Sequence, residues 1–160
     1  MTLVNFNAES DSSNWQTVDD NVMGGKSEGD FKINANGNGL FYGKVSLENN
    51  GGFSMVKCPI KTLKTSSFTK FCIKLKGDGK NYQFRIKEHE QDKHSYIYPF
   101  KTTSEWETIE IPFNNMFANF RGKKLDLPNF AGTQIEMLAF LIGNKKAEAF
   151  NLEIDSIALK

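Results

Sequence analysis

Carboxylate and amide side chains lie beside glycine pairs in two stretches near the start of the chain, and they could bind a ligand or a partner. The residues concerned are Asp19, Asp20, Asn21, Asn49 and Asn50, and each group is followed by a Gly-Gly pair. Such side chains often hydrogen-bond their own backbone and fix a turn. Two adjacent carboxylates on an extended strand point to opposite faces, so a catalytic acid/base pair is not expected. We predict that the two loops lie close together and form one polar surface.

Arginine and aromatic side chains extend this predicted surface, because both are enriched in the centres of protein interfaces. The predicted binding surface consists of Trp15, Asp19, Asp20, Asn21, Asn49, Asn50, Arg85 and Arg121. Four aromatic residues, Trp15, Tyr96, Tyr98 and Trp106, could form a platform for a sugar ring, or they could pack in the core. Core packing is the commoner use of such residues, and we expect Trp106 to be substantially buried.

The sequence offers no set of residues that would support an enzyme. His89 and His94 flank a polar stretch without a third metal ligand, which favours a solvated loop. Cys58 and Cys72 lack the spacing of a zinc site, and two thiols form no disulfide framework, although a single disulfide would be compatible with them. No nucleophile motif and no phosphate-binding glycine loop is present. We therefore predict no catalytic residue, no cofactor and no metal.

The charge pattern and the start of the chain restrict the partners. The net charge is +1, which gives no global attraction to nucleic acid or anionic lipid, although lysines are frequent between residues 57 and 80. The first residues carry no basic segment and no long apolar run, and no stretch approaches the ~20 apolar residues of a membrane helix. We therefore expect a cytoplasmic protein that binds no nucleic acid and has no transmembrane segment.

Hydrophobic residues alternate with polar ones along most of the chain, which is typical of strands with one buried face. Residues 137–142 are apolar at every position and predict a central strand buried on both sides. Residues 77–80, Gly-Asp-Gly-Lys, predict a tight hairpin turn between strands that share one buried face. Residues 113–120 are the best candidate for a short helix.

These elements predict an all-β antiparallel sandwich of jelly-roll type. The 160 residues, 14 of them phenylalanine, are sufficient for one domain, 1–160, with a large aromatic core. We expect Phe113, which ends an alternating stretch, to belong to this core.

Several motifs resemble the complex I intermediate-associated protein 30 family. The most specific are Asp-Asp-Asn-Val-Met-Gly-Gly at 19–25 and Glu-Asn-Asn-Gly-Gly-Phe at 48–53. Further matching positions are Trp15, 41–43, 76–80, Tyr82, Phe84, Trp106, 111–113, 120–122, 140–142 and 150–154. The resemblance implies a galactose-binding-like β-sandwich, and an assembly chaperone of respiratory NADH:ubiquinone oxidoreductase or a related complex.

We therefore expect a non-enzymatic module that binds a protein partner, by resemblance a subunit of a respiratory complex. The alternative is a carbohydrate-binding module that binds a small sugar, because β-sandwiches also host that function.

Overall fold

Alternating strands build two antiparallel β-sheets that pack face to face, as the sequence predicts. The computed structural model describes residues 1–19 and 24–160, and of Asn50 only the backbone. The strands of this described part are β1 Thr2–Asn5, β2 Gln16–Asp19, β3 Glu28–Ile33, β4 Gly39–Val45, β5 Ser54–Lys64, β6 Lys70–Lys76, β7 Asn81–Lys87, β8 Ser95–Lys101, β9 Trp106–Pro112, β10 Phe117–Phe120, β11 Lys123–Lys124, β12 Gln134–Ile142 and β13 Glu148–Leu159.

Each sheet has a definite strand order. The six-stranded sheet runs β3-β4-β13-β6-β9, and β1 also pairs with β13. The seven-stranded sheet runs β11-β10-β8-β7-β12-β5-β2. Helical structure in the described part is limited to the single 3-10 turns Glu48–Asn50 and Phe113–Asn115, so no helix there could cross a membrane.

An aromatic core fills the space between the sheets. Phe71 of β6 meets Phe84 of β7 with ring centroids 5.1 Å apart, and Phe84 meets Phe140 of β12 at 5.3 Å. All three rings are fully buried. Each such burial contributes about 1.5–3 kcal/mol relative to exposure. The contacts therefore join strands within one sheet and also join one sheet to the other.

The β12 strand confirms the predicted central strand. It lies between β7 and β5, and residues 137–142 are all buried. Leu138 and Phe140 belong to the core between the sheets, whereas Ala139 and Leu141 face the other way. The β12 strand is therefore apolar on its outer side as well as in the core.

The predicted hairpin at residues 77–80 is wrong. The β6 strand pairs with β13 and β9, whereas β7 pairs with β8 and β12, so the loop passes from one sheet to the other. Ile73 and Leu75 still face Tyr82 and Phe84, but across the core rather than along one sheet. Glycine and aspartate define the turn, and they do not determine whether the flanking strands pair.

Two further expectations are corrected. Residues 113–120 form one 3-10 turn and then β10, instead of a longer helix. Trp106 is 40% exposed at the start of the edge strand β9, and the Lys74 Nζ lies 5.8 Å from its ring centroid. Phe113, by contrast, is 5% exposed in the core, as predicted.

Candidate ligand-binding cleft

A cleft of about 630 Å³ lies on the outer face of the seven-stranded sheet. Strand register builds its floor, because Gln83 lies opposite Leu141, Leu141 opposite Met55, and Met55 opposite Val18. These four residues form one row across β7, β12, β5 and β2. With neighbouring strands about 4.8 Å apart, the row is ~14 Å long. A volume of this size lies within the usual range for small-molecule and peptide sites.

Three loops form the walls of the cleft. The segment before β5 contributes Gly51, Gly52 and Phe53, and the turn between β10 and β11 contributes Arg121 and Gly122. The loop between β12 and β13 contributes Gly143 and Lys145, and β10 adds Asn119. Loops held by a rigid sheet are a common place for binding residues.

Arg85 follows Gln83 by two residues on the same face of β7 and belongs to the next row of side chains. It lies opposite Ala139, whose small side chain leaves room above the sheet for the guanidinium. The Arg85 Nε is buried, and no described residue hydrogen-bonds it. Burial lowers the pKa of Arg85, although a guanidinium stays protonated at physiological pH. The cleft therefore contains a half-buried cation whose Nε is shielded from water and which has no ionic partner in the described part of the chain.

Other cations surround this guanidinium. Lys57 lies opposite Ala139 from the other side, and Lys87 follows Arg85 on the same face of β7. Burial is the largest cause that lowers the pKa of Lys87, and the positive charges of Lys57 and Arg85 lower it further, whereas the negative charges of Asp92 and Glu90 raise it. Asp92 and Glu90 offset this repulsion at Lys87, whereas no described acidic residue lines the cleft beside Arg85.

The two rim cations have an unusual backbone. Arg121 has φ of 50° and Lys145 has φ of 59°, both in the left-handed region. Arg121 and Gly122 form the two-residue loop between the paired residues Phe120 and Lys123. A two-residue loop of this shape normally prefers Asn-Gly. Arginine and lysine at these positions are therefore not explained by the turns they occupy.

The structure brings some predicted site residues together and separates others. Arg85 and Arg121, the predicted anchors, line the same cleft. Val18, Gly51 and Gly52 also line it, so the ends of the two glycine-containing loops meet there. Asp20 and Asn21, like the side chain of Asn50, lie outside the described residues. Their share of the predicted polar surface stays a prediction.

Asp19 and Asn49 occupy other positions. The Asp19 carboxylate accepts a hydrogen bond from the Ser54 hydroxyl at 2.5 Å and another from the Gly29 N–H at 3.0 Å. It thereby ties β2 to the start of β3 and β5, and it does not line the cleft. Asn49 is exposed in the 3-10 turn with φ of 56°, a backbone conformation that asparagine tolerates.

Trp15 is a core residue, which corrects its place in the predicted binding surface. It is 8% exposed, and its ring stacks on Phe31 with centroids 5.3 Å apart. The four-residue aromatic platform is not formed. Tyr96 packs against Phe130 in the core, and Trp106 lies on the other sheet.

The sequence interpretation missed the floor of the cleft and Lys145. The apolar run of β12 was the available signal for the floor. A strand that is apolar at every position is expected to have buried side chains on both faces of its sheet, and not only on the core face. Leu141 is one of the residues on its outer side. The neighbours Met55 and Val18 became identifiable only through the register of three strands, which the sequence does not specify.

Side chains that could bind a metal are scattered. Among the described residues, no three His, Cys, Asp or Glu side chains form a metal-binding group. Cys58 and Cys72 are free and buried on strands of different sheets. His89 contacts the Gln134 amide, with its Nδ1 3.1 Å from Nε2.

Comparison with known proteins gives a relative similar in sequence and solved structures similar in fold. A mouse protein named complex I intermediate-associated protein 30, mitochondrial, is 24% identical over an alignment 177 positions long, which covers 96% of this chain and 54% of the mouse protein. The chain therefore spans about half the length of that relative.

Two solved structures share the fold, a β-sandwich of the galactose-binding-like jelly-roll type. The family 11 carbohydrate-binding module of the cellulosomal cellulase Lic26A-Cel5E of Clostridium thermocellum has a TM-score of 0.69 at 18% identity, over 99% of this chain and 92% of the module. A family 11 module from the same organism, in complex with a β-1,3-1,4-mixed-linked tetrasaccharide, has a TM-score of 0.68 at 20% identity, over 96% and 91%.

A family profile gives the assignment that these low identities leave open. The profile of complex I intermediate-associated protein 30 matches residues 4–154, which include most of both sheets and every described loop of the cleft. The chain therefore belongs to the complex I intermediate-associated protein 30 family.

Proposed function

We propose that the chain is a non-enzymatic protein-binding module that assists assembly of respiratory NADH:ubiquinone oxidoreductase or a related complex. The observation that carries this proposal is the family match over residues 4–154. The mouse relative, whose name refers to intermediates of complex I, aligns with 96% of this chain. The cleft on the seven-stranded sheet is the surface through which we propose that the partner is bound.

The chemistry of the cleft supports binding rather than catalysis. The described residues that line it include no histidine, cysteine, aspartate or glutamate, and no hydroxyl side chain. Arginine does not release its proton at physiological pH and therefore makes a poor general base. Ser54 carries a hydroxyl nearby in the chain, but that hydroxyl donates to Asp19 and is buried.

The test is an assembly experiment in the source cell. We expect deletion of the chain to slow formation of the mature membrane oxidoreductase, with intermediates accumulating on native gels. A photo-crosslinker placed at Phe53, in the cleft wall, should capture a subunit of that complex, whereas one placed at Thr108, on the other sheet, should not. Normal assembly after deletion, with no subunit captured from either position, would reject the proposed function.

A carbohydrate-binding function is the second candidate. It is favoured by the shared fold with a module in complex with a mixed-linked tetrasaccharide. The cleft also contains the amides of Gln83 and Asn119, which could hydrogen-bond sugar hydroxyls. Isothermal titration with oligosaccharides, including that tetrasaccharide, tests it. Affinity tighter than about 1 mM, equivalent to roughly 4 kcal/mol, and lost in Asn119→Ala would favour the sugar over the protein partner.

A further inference from the structure

We infer that the cleft recognises an extended acidic segment of the partner, with a carboxylate bound by Arg85 and further carboxylates near Arg121 and Lys145. The inference rests on the proposed function in one respect, namely that the partner is a protein. It adds the chemistry of the segment that is bound and the residues that bind it.

Arg85 carries the first step of the argument. A charged group that is removed from water without a partner destabilises a protein, so buried charges are normally paired. In the described part of the chain no salt bridge involves Arg85, and its buried Nε has no hydrogen-bond partner. A guanidinium presents a planar set of donors that matches a carboxylate with two parallel hydrogen bonds. A carboxylate supplied by the partner would therefore satisfy a group that the folded chain leaves unsatisfied.

The use of arginine is selective. The chain contains 18 lysines and only two arginines, Arg85 and Arg121. Both line this cleft, and Lys145 is the third cation of its lining. No acidic side chain is present among the described lining residues. The cleft is therefore complementary in charge to a segment with several carboxylates.

The backbone at the rim supports the same conclusion. The described non-glycine residues with positive φ are Asn49, Arg121 and Lys145, and the last two line the cleft. A left-handed conformation costs such residues roughly 1–2 kcal/mol, whereas asparagine and glycine adopt it more readily. Strain of this kind is commonly found at functional sites. The Arg121 guanidinium lies 5.3 Å from the Phe120 ring centroid, and the backbone of the turn itself gives no reason for a long cationic side chain at either position.

The floor defines the form of the ligand. Val18, Met55 and Leu141 form an apolar row beside the cations, and the full row of ~14 Å matches four or five residues of extended peptide. A peptide in that conformation alternates its side chains between two sides. Apolar residues can then pack on the row while carboxylates turn toward Arg85 and the rim.

The experiment measures affinity for a defined probe by isothermal titration. The probe is an acetylated and amidated octapeptide that alternates glutamate and leucine, and its control has glutamine in place of glutamate. We expect the acidic peptide to bind with a dissociation constant of about 100 µM or tighter, and the glutamine peptide at least about ten-fold more weakly. Raising the salt from about 50 to about 300 mM should weaken the acidic peptide selectively.

Four variants assign the binding to named residues. Arg85→Gln should lower the affinity for the acidic peptide at least about ten-fold, and Arg121→Asn and Lys145→Asn by about three- to ten-fold each. Lys93→Asn removes an exposed charge from the loop after β7, outside the cleft, and should change the affinity less than about two-fold. If Arg85→Gln does not fold, the variants Arg121→Asn and Lys145→Asn still test the inference. Both are expected to fold, because asparagine tolerates the positive φ at these two positions.

The outcomes separate this inference from the proposed function. Equal affinities for the two peptides, or no effect of the arginine variants, would overturn the inference. If Phe53 nevertheless still crosslinks a respiratory subunit, the function stands without the acidic segment. Arginine-dependent binding of the mixed-linked tetrasaccharide, without binding of the acidic peptide, would overturn both.

Discussion

Tyr82 illustrates how single side chains join the two sheets. It is 1% exposed, and its hydroxyl donates a hydrogen bond to Asp78 Oδ1 at 3.0 Å. The Asn151 N–H, on β13 of the other sheet, donates to the same hydroxyl at 3.2 Å. Burial is the main cause that raises the pKa of Tyr82 above its ordinary value of 10.0, and the negative charge of Asp78 raises it further.

The raised pKa of Tyr82 predicts a loss of stability at alkaline pH. Above pH 10.0 the unfolded chain releases the phenol proton, whereas the folded chain retains it. The folded state then binds more protons, so its stability falls as the pH rises. We expect the difference in unfolding free energy between the wild type and Tyr82→Phe to be constant up to about pH 9 and about 1.4 kcal/mol smaller at pH 11. Urea melts across this range measure it, and a difference that stays constant would contradict it.

Phe113 and Trp106 form a matched pair of large aromatic residues with opposite environments. Phe113 is 5% exposed and contacts Phe71 and Phe130 at centroid distances of 5.0 and 5.1 Å. Phe113→Ala should therefore cost about 3–5 kcal/mol of unfolding free energy. Trp106→Ala, at a position 40% exposed, should cost less than about 1.5 kcal/mol. Denaturant melts of both variants check the contrast, and similar losses would be inconsistent with it.

At the scale of the element, we expect a substitution in the turn between β10 and β11 to increase the stability of the protein. Arg121→Asn places a residue that tolerates positive φ at a position with φ of 50°. We expect it to raise the unfolding free energy by about 0.5–1 kcal/mol, while it weakens binding of the acidic peptide. The control Arg121→Val removes the same charge but should destabilise the turn. If Arg121→Asn lowers the stability, the arginine contributes to the fold and the argument from strain at this position is wrong.

Strands were the most predictable elements because their signal is local. Alternation identified β6, β7 and β13, and the continuous apolar run identified β12 as central. Pairing was less predictable, since the Gly-Asp-Gly-Lys loop has the composition of a hairpin turn and yet connects different sheets. Asp78 connects the two sheets at this crossing, because it accepts hydrogen bonds from the Tyr82 hydroxyl in one sheet and the Asn151 N–H in the other. Contacts between residues that are far apart in the chain cannot be predicted from the sequence around either residue.

The candidate site was predictable only in part for the same reason. Arg85 and Arg121 could be selected because arginine is favoured at interfaces. Their shared location follows from β10 lying two strands from β7, across β8. Trp15 could not be placed from its type alone, because its partners Phe6 and Phe31 come from other strands and loops.

At the scale of the whole molecule, one core joins both sheets, which predicts a single unfolding transition. The buried cluster includes Ile73 and Leu152 of one sheet and Ile86 and Leu138 of the other. In a Trp106→Phe variant, the fluorescence of Trp15 reports on this core alone. We expect its denaturant midpoint to coincide with that of far-ultraviolet circular dichroism. Separate midpoints would indicate two units rather than the single proposed domain.

The pairing of β1 with β13 has a practical consequence for engineering. The Met1 amino group donates to the Leu159 carbonyl at 2.9 Å, and the Leu159 N–H donates back to Met1 at 2.7 Å. The first and last described strands are thus side by side at the end of β13 farthest from Lys145, roughly 35 Å along the strand. A short Gly-Ser linker could close these ends into a ring, and the exposed segment 126–129 could be opened instead. Such a circular permutant, or a fluorescent protein fused at either end, would leave the mouth of the cleft unobstructed.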